Sequence, residues 1–280
     1  MIALCVWSFS ALLVSFSGHA PPFLTAAICF FISFSCNAIK WIVTKQSVRD
    51  IFRQSPWAYV VCIGGLTGYF AAYNVALKVA PIIEANLINY LWPLSIVVLS
   101  AVVQKTKISL ETGIGILTSF AGMVFVLSSK GEFHFGENGF VIYIPAFMAV
   151  IFYGLYCVFT KIVPFPSSFI GGCYLIGGVI LLAIHLAFEP SYTFNISEAV
   201  PILLLGASTT SYTLWDRAMK TGDPIMLASL AYLVPFFSTF WLIVFGRGAW
   251  SPAVLIGGIM IVAGGLIANI RKIRDLRPSV

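Results

Sequence analysis

The chain reads as an all-α integral membrane protein, with ten transmembrane helices arranged as two inverted five-helix repeats around a central cavity. Three observations carry that reading. Of 280 residues, 60% are hydrophobic and 9% charged, and the mean hydropathy is +0.98, a composition outside the range of water-soluble domains. The apolar runs last about 17 to 25 residues between short charged or Pro/Gly punctuation, which suits bilayer-crossing helices and is too long for the alternating strands of a membrane barrel. Third, the sequence matches itself at an offset of 142 residues.

In order, the spans fall at residues 1–17, 21–43, 57–77, 82–103, 111–128, 139–160, 167–188, 199–215, 224–245 and 252–270. Met1 to Ser17 lacks the basic leader of a cleavable signal and reads as a slightly short first span. With both termini in the cytoplasm, the inner segments collect Lys40, Lys45, Arg49, Arg53, Lys105, Lys107, Lys161, Arg217, Lys220, Arg271, Lys272, Arg274 and Arg277, while the outer segments keep Lys78, Lys130 and Arg247. Thirteen against three is a strong positive-inside asymmetry, so the span count and the orientation support each other. The net charge of +6 therefore speaks to membrane topology and gives no reason to expect a nucleic-acid partner.

The 142-residue shift sets Tyr73, Asn74 and Lys78 on Trp215, Asp216 and Lys220, and Tyr90, Leu91 and Pro93 on Tyr232, Leu233 and Pro235. It also sets Gly115, Ala121 and Gly122 on Gly257, Ala263 and Gly264 without a gap. Two halves follow, 1–130 and 131–280, each with five spans. Because five is odd, the second half enters the membrane from the opposite side, the inverted repeat of many secondary transporters.

Small and rigid residues punctuate the spans. Gly64 and Gly68 form a GxxxG in span 3, and Gly171-Gly172, Gly177-Gly178, Gly257-Gly258 and Gly264-Gly265 stud spans 7 and 10 as packing faces. Such faces serve contacts within one chain as well as between chains, and a monomer is expected. Cysteines 5, 29, 36, 62, 157 and 173 lie in apolar runs without a CxxC and read as small packing residues. Pro93 and Pro235 sit mid-span, where each removes a backbone donor and kinks the helix; their symmetric placement marks either paired hinges or inherited kinks without motion.

Catalytic signatures are absent from the sequence: there is no HExxH, GxSxG or Walker-type loop, and no carboxylate pair beside a histidine within one span. His19, His134 and His185 are scattered toward outer loops and ends, where solvated or interfacial positions are expected. No metal, cofactor or enzymatic activity is therefore expected. Nor is there a soluble domain to power an ATP-driven pump, which leaves an ion gradient or the substrate's own gradient as the energy source.

Residues 81–102 concentrate what polarity the spans possess. Asn86, Asn89, Tyr90 and Pro93 recur at i, i+3, i+4 and i+7, so one stripe of a helix should face protein or a wet cavity at membrane depth, unless the amides only glue helices together. Tyr69, Tyr73 and Asn74 in span 3, with Asn89, Tyr90 and Trp92 in span 4, form the centre of a candidate substrate site. Trp7, Tyr153, Tyr156, Trp215 and Tyr232 complete it. These side chains offer flat apolar faces with hydrogen-bonding rims, suited to an amphipathic organic solute rather than a bare ion. Trp41, Trp57, Tyr59 and Trp250, near span ends, fit an interfacial belt. Glu84 follows Lys78 by six residues, an ion pair that gates or braces the outer mouth, with Asp216 and Arg217 as its inner counterpart. No Asp or Glu stands clearly at the midplane, which favours uniport over obligatory antiport.

With YFAAYNVALKVAP before it, the stretch EANLINYLWPL resembles the bacterial aromatic amino-acid exporters of the EamA-type drug/metabolite transporter superfamily. N-Y-L-W-P is the most specific match, and the likeness in span order covers essentially the whole chain. The resemblance implies ten helices in two inverted halves around a central cavity, both termini cytoplasmic, and export of aromatic and other neutral amino acids across the inner membrane. By motif, it implies that Asn89, Tyr90, Trp92 and Pro93 line the cavity, joined by Tyr69 and Tyr73. Trp215-Asp216-Arg217 departs from the aromatic-Asn-apolar pattern expected in span 8, which bears on selectivity. An exporter of other small metabolites or aromatic drugs, and a non-transporting membrane scaffold, are the competing readings.

Overall fold

A computed structural model describes residues 1–16, 20–128, 139–246 and 250–270, apart from the side chains of Ala11, Ser15, Ile82 and Ile83. His19, Lys130, His134, Arg247 and the four basic residues after 270 lie outside the described residues. Among the described residues the regular structure is helical throughout, with no strand. Seven helices are long and apolar enough to cross a membrane, and the apolar Ile2–Val14 and Pro252–Ala268 are shorter. In each of the seven, between 39% and 56% of the residues are buried, so the other half of every rod is left for lipid.

The helices, in order, are α1 (Ile2–Ser8), α2 (Ser10–Phe16), α3 (Pro22–Val43), α4 (Val48–Phe52) and α5 (Pro56–Tyr59). A π-helical segment (Val60–Thr67) leads into α6 (Gly68–Val79), followed by α7 (Ile82–Asn89), α8 (Trp92–Val103) and α9 (Leu110–Ser128). After a 3-10 turn at Phe140–Tyr143 come α10 (Ile144–Phe159), α11 (Phe169–Phe188), α12 (Ile196–Thr209) and α13 (Ser211–Thr221). The chain closes with α14 (Pro224–Ala231), α15 (Leu233–Val244) and α16 (Pro252–Ala268). Starts are written locally: proline opens α3, α5, α14 and α16, while Ser55, Asp223 and Ser251 accept the third amide of the helix each precedes. Asn195 and Glu198 form a reciprocal capping box on α12.

Two expected spans are broken where proline predicts. The fourth stops at Asn89 and resumes at Trp92, and the ninth stops at Ala231 and resumes at Leu233. Neither Pro93 nor Pro235 can donate to the carbonyl four residues earlier, at Asn89 and Ala231. The eighth runs six residues beyond its expected end, to Thr221, and this draws Asp216 inside the bundle. In span 3 the π-helical segment shifts the packing face: a Cβ on Gly65 would lie 2.6 Å from Tyr156 Cβ, whereas Gly64, singled out by its GxxxG, meets nothing within 4 Å.

Packing pairs follow the sequence offset. Antiparallel α9 and α16 lie backbone on backbone: a Cβ on Gly115 would fall 2.5 Å from the Gly264 carbonyl, and one on Gly122 2.6 Å from that of Gly257. Because Gly115 and Gly122 correspond to Gly257 and Gly264, the contact is its own mirror under the 142-residue shift. Likewise α3 packs on α11, while α1 packs on α13 and α15 as α10 packs on α6 and α8.

Candidate functional site

At the middle of the bundle aromatic side chains from five helices meet. Trp92, at the first position of α8 after the break, has Trp7 at 6.3 Å, Tyr153 at 5.0 Å and Trp215 at 5.6 Å, all edge-on. Trp7 on α1 also lies 4.7 Å from Tyr212 and 5.3 Å from Trp215. Tyr69 stacks parallel to Tyr73 at 5.9 Å and tilts onto Tyr153 at 4.8 Å. Helical spacing delivers these rings in pairs: Tyr69 and Tyr73 on α6, Tyr153 and Tyr156 on α10, Tyr212 and Trp215 on α13. Edge-to-face contacts place the positive rim of one ring on the negative face of the next.

The polar rims are only partly matched. Tyr73 OH donates to Asn86 Oδ1 at 2.5 Å, Asn89 Nδ2 reaches Tyr69 OH at 3.5 Å, and Trp215 Nε1 donates to Cys157 Sγ at 3.3 Å. The Asn86 and Asn89 stripe therefore faces α6 and the bundle interior. Trp7 Nε1, Asn89 Oδ1 and Tyr153 OH are buried without a protein oxygen or nitrogen partner.

Several expectations need correction. The rings touch one another at the middle of the bundle, where an open central cavity is expected, and a groove of about 380 Å³ lies on the outer side of α15 and α16, along Phe236, Gly258, Ile259 and Val262. Tyr232 is fully buried but its ring neighbour is Phe120 at 6.5 Å, off the cluster, because the α14–α15 break carries it toward α9. Asn74 donates to the Phe70 carbonyl of its own helix at 2.7 Å. Tyr90, by contrast, sits half-buried at the α7–α8 break against the same core as Tyr69 and Trp92, as expected of its stripe. Tyr212 and Phe70, 5.6 Å apart, belong to the cluster and were not anticipated; the i, i+3 spacing of Tyr212 and Trp215 was the available signal.

Ion pairs at the bundle ends also differ from expectation. Lys78 pairs with Glu189 at 2.6 Å rather than with Glu84, whose carboxylate accepts from Tyr143 OH. Glu189, just past the end of α11, also accepts from the Phe23 and Leu24 amides at 3.1 Å each, at the start of α3, and lies 2.8 Å from His185 Nδ1. His185 is thus buried rather than solvated. Burial of the Glu189 carboxylate raises its pKa, but the bonds from Lys78, Phe23, His185 and Leu24 outweigh this and hold it below its ordinary value. At the opposite end the fully buried Asp216 takes Lys220, at 2.7 Å, with Thr160 and Tyr156 hydroxyls beside it; Arg217 points outward. Among the described residues no three His, Cys, Asp or Glu side chains gather as a metal site, and all six cysteines are free, four of them buried.

A bundle of long apolar helices, each about half buried, with broken rods around a ring cluster fits a multi-pass membrane protein. The profile of the EamA-like transporter family matches residues 1–128. The "Aromatic amino acid exporter YddG" of Ancylobacter novellus is 33% identical over 96% of this chain and 94% of its own. The protein of the same name from Escherichia coli strain K12 is 26% identical over 75% of this chain and 72% of its own. A solved crystal structure superposes with a TM-score of 0.88 at 32% identity, covering 96% of this chain and 95% of that one. The chain belongs to the EamA-like transporter family.

Proposed function

We propose that this protein exports aromatic and other neutral amino acids across the bacterial inner membrane, as a single chain with both termini cytoplasmic. The ring cluster is its substrate site. The observation that carries the proposal is the meeting of Trp7, Tyr69, Trp92, Tyr153, Tyr212 and Trp215 at mid-bundle beside three buried polar atoms without a protein oxygen or nitrogen partner. Aromatic faces suit a ring-bearing solute, and Trp7 Nε1 and Asn89 Oδ1 offer it hydrogen bonds that the protein itself leaves open, with the Tyr153 hydroxyl beside them. The names of the Ancylobacter and Escherichia relatives point to the same substrate class.

Ten spans in two inverted halves, 1–130 and 131–280, supply the machinery for alternating access. α1–α2, the α12–α13 pair and α16 join the seven longer helices, and the offset-related packing of α9 with α16 and α3 with α11 supports a two-fold axis in the membrane plane. The breaks at Pro93 and Pro235 are the hinges. The cluster itself holds no charged side chain and the buried Asp216 is already paired with Lys220, which supports uniport. Proteoliposomes loaded with labelled Phe, Trp, Thr or a cationic aromatic dye test the reading. Saturable efflux of Phe and Trp is expected; efflux of dye without amino acid would transfer the site to drug export, and no flux of any of them would leave a scaffold.

A further inference from the structure

The two ends of the bundle carry the same side-chain pair. At one end the Lys78 ammonium lies 5.1 Å from the centre of the Phe23 ring, and at the other the Lys220 ammonium lies 3.6 Å from the centre of the Phe165 ring. Lys78 and Lys220 are 142 residues apart, and so are Phe23 and Phe165, each preceded by a proline, Pro22 and Pro164. The repeat therefore places one lysine over one phenylalanine twice, at opposite ends. The carboxylates that complete each clasp do not obey the offset. Lys78 meets Glu189 at 2.6 Å, while Lys220 meets Asp216 at 2.7 Å and also donates to the Phe165 carbonyl at 2.9 Å.

Both clasps act on α11. Phe165 stands just ahead of its first turn and Glu189 just past its last, so the two lysines hold ends about 30 Å apart along one 20-residue rod. The far clasp also fastens α3, whose first amides, Phe23 and Leu24, donate to Glu189. The near one fastens α10 to α13, because Thr160 and Tyr156 share the carboxylate that Lys220 holds. Each contact joins a lysine near the end of one helix to the entry of another, a geometry that must separate if that end of the bundle is to splay. Charge, aromatic face and partial burial make the contact stronger than a solvated surface pair, yet one lysine can release it.

We propose that Lys78 and Lys220 are repeat-related latches, one for each end of the transport path, and that access alternates by release of one while the other stays engaged. The present structure, with both engaged and the rings in contact, is the closed state between the two. The proposal rests on the exporter reading, and its test is chosen to need no substrate.

Hydrogen–deuterium exchange of the full chain in lipid nanodiscs, followed by mass spectrometry, reads opening at each end separately. In Lys78→Met, peptides covering residues 22–27 and 185–189 should exchange several-fold faster than wild type while those covering 160–169 do not change; Lys220→Met should give the reverse. Lys78→Arg and Lys220→Arg keep the charge and should restore slow exchange at their own ends. If a methionine variant fails to insert, Phe23→Leu and Phe165→Leu remove the aromatic face while keeping apolar bulk, with the same one-ended result expected. Exchange that rises at both ends together, or at neither, overturns the latches. Absent amino-acid flux in wild type with one-ended exchange intact would count against the substrate and not against the latches.

Discussion

Ser119 Oγ donates a hydrogen bond to the Ile261 carbonyl at 3.1 Å, and the two residues are separated by the 142 positions that superpose one half of the sequence on the other. Equivalent positions of α9 and α16 thus meet each other, as residues beside a two-fold axis must. Because α9 and α16 run antiparallel, such an axis lies across the pair, perpendicular to both helices. Gly122 and Gly257 let the backbones approach there; a Cβ on either would fall within 2.6 Å of the other's carbonyl. Gly122→Leu and Gly257→Leu should each destabilise the protein by about 1–3 kcal/mol through overpacking, and by less than the sum when combined. Gly64→Ala, in open space, should be neutral. Unfolding in detergent, followed by circular dichroism, measures all four.

Tyr212 and Tyr232 distinguish the ring cluster from ordinary core. Tyr212 touches Trp7, Phe70 and Tyr153, whereas the ring contact of Tyr232 is with Phe120. Tyr212→Ala should abolish amino-acid flux at normal expression. Tyr232→Ala should cost on the order of 3 kcal/mol of stability, the usual scale for deleting a buried ring, with flux per folded molecule retained. Parallel flux and thermal-unfolding measurements on purified protein check the pair.

The Glu189 clasp makes one end of the bundle acid-sensitive. Its folded pKa is lowered from 4.5, so the folded state binds fewer protons than the unfolded state between the two values. The stabilisation is then complete above about pH 4.5 and lost as the pH falls through the lower folded value. Melting temperature recorded against pH should decline below that point in wild type. Glu189→Gln should start lower and decline less steeply over the same window.

Sequence carried the fold further than the site. Span length and proline position are local properties, so the disturbances at Pro93 and Pro235, and span starts within one residue of Pro22, Pro56, Pro224 and Pro252, could be read directly. The inward stripe of Asn86 and Asn89 was legible for the same reason, since burying amides in lipid is costly. What local pattern could not supply was partners across space. Lys78 and Glu84 are six residues apart, yet Lys78 turns to Glu189 on another helix. The π-helical segment, invisible to a 3.6-residue periodicity, moved the tight glycine from Gly64 to Gly65. Asp216 does carry an ion pair at the opposite end of the bundle, but its partner is Lys220, one turn further along α13, and not the outward Arg217 beside it in sequence.

Trp92 is the ring on which the account turns, with Trp7, Tyr153 and Trp215 against it. Counterflow of labelled tryptophan into proteoliposomes, compared between wild type and Trp92→Ala at equal incorporation and equal melting temperature, tests that directly. Saturable counterflow in wild type, reduced to the protein-free background in the variant, is the expected result. Undiminished counterflow through Trp92→Ala would contradict the claim that substrate passes through this cluster.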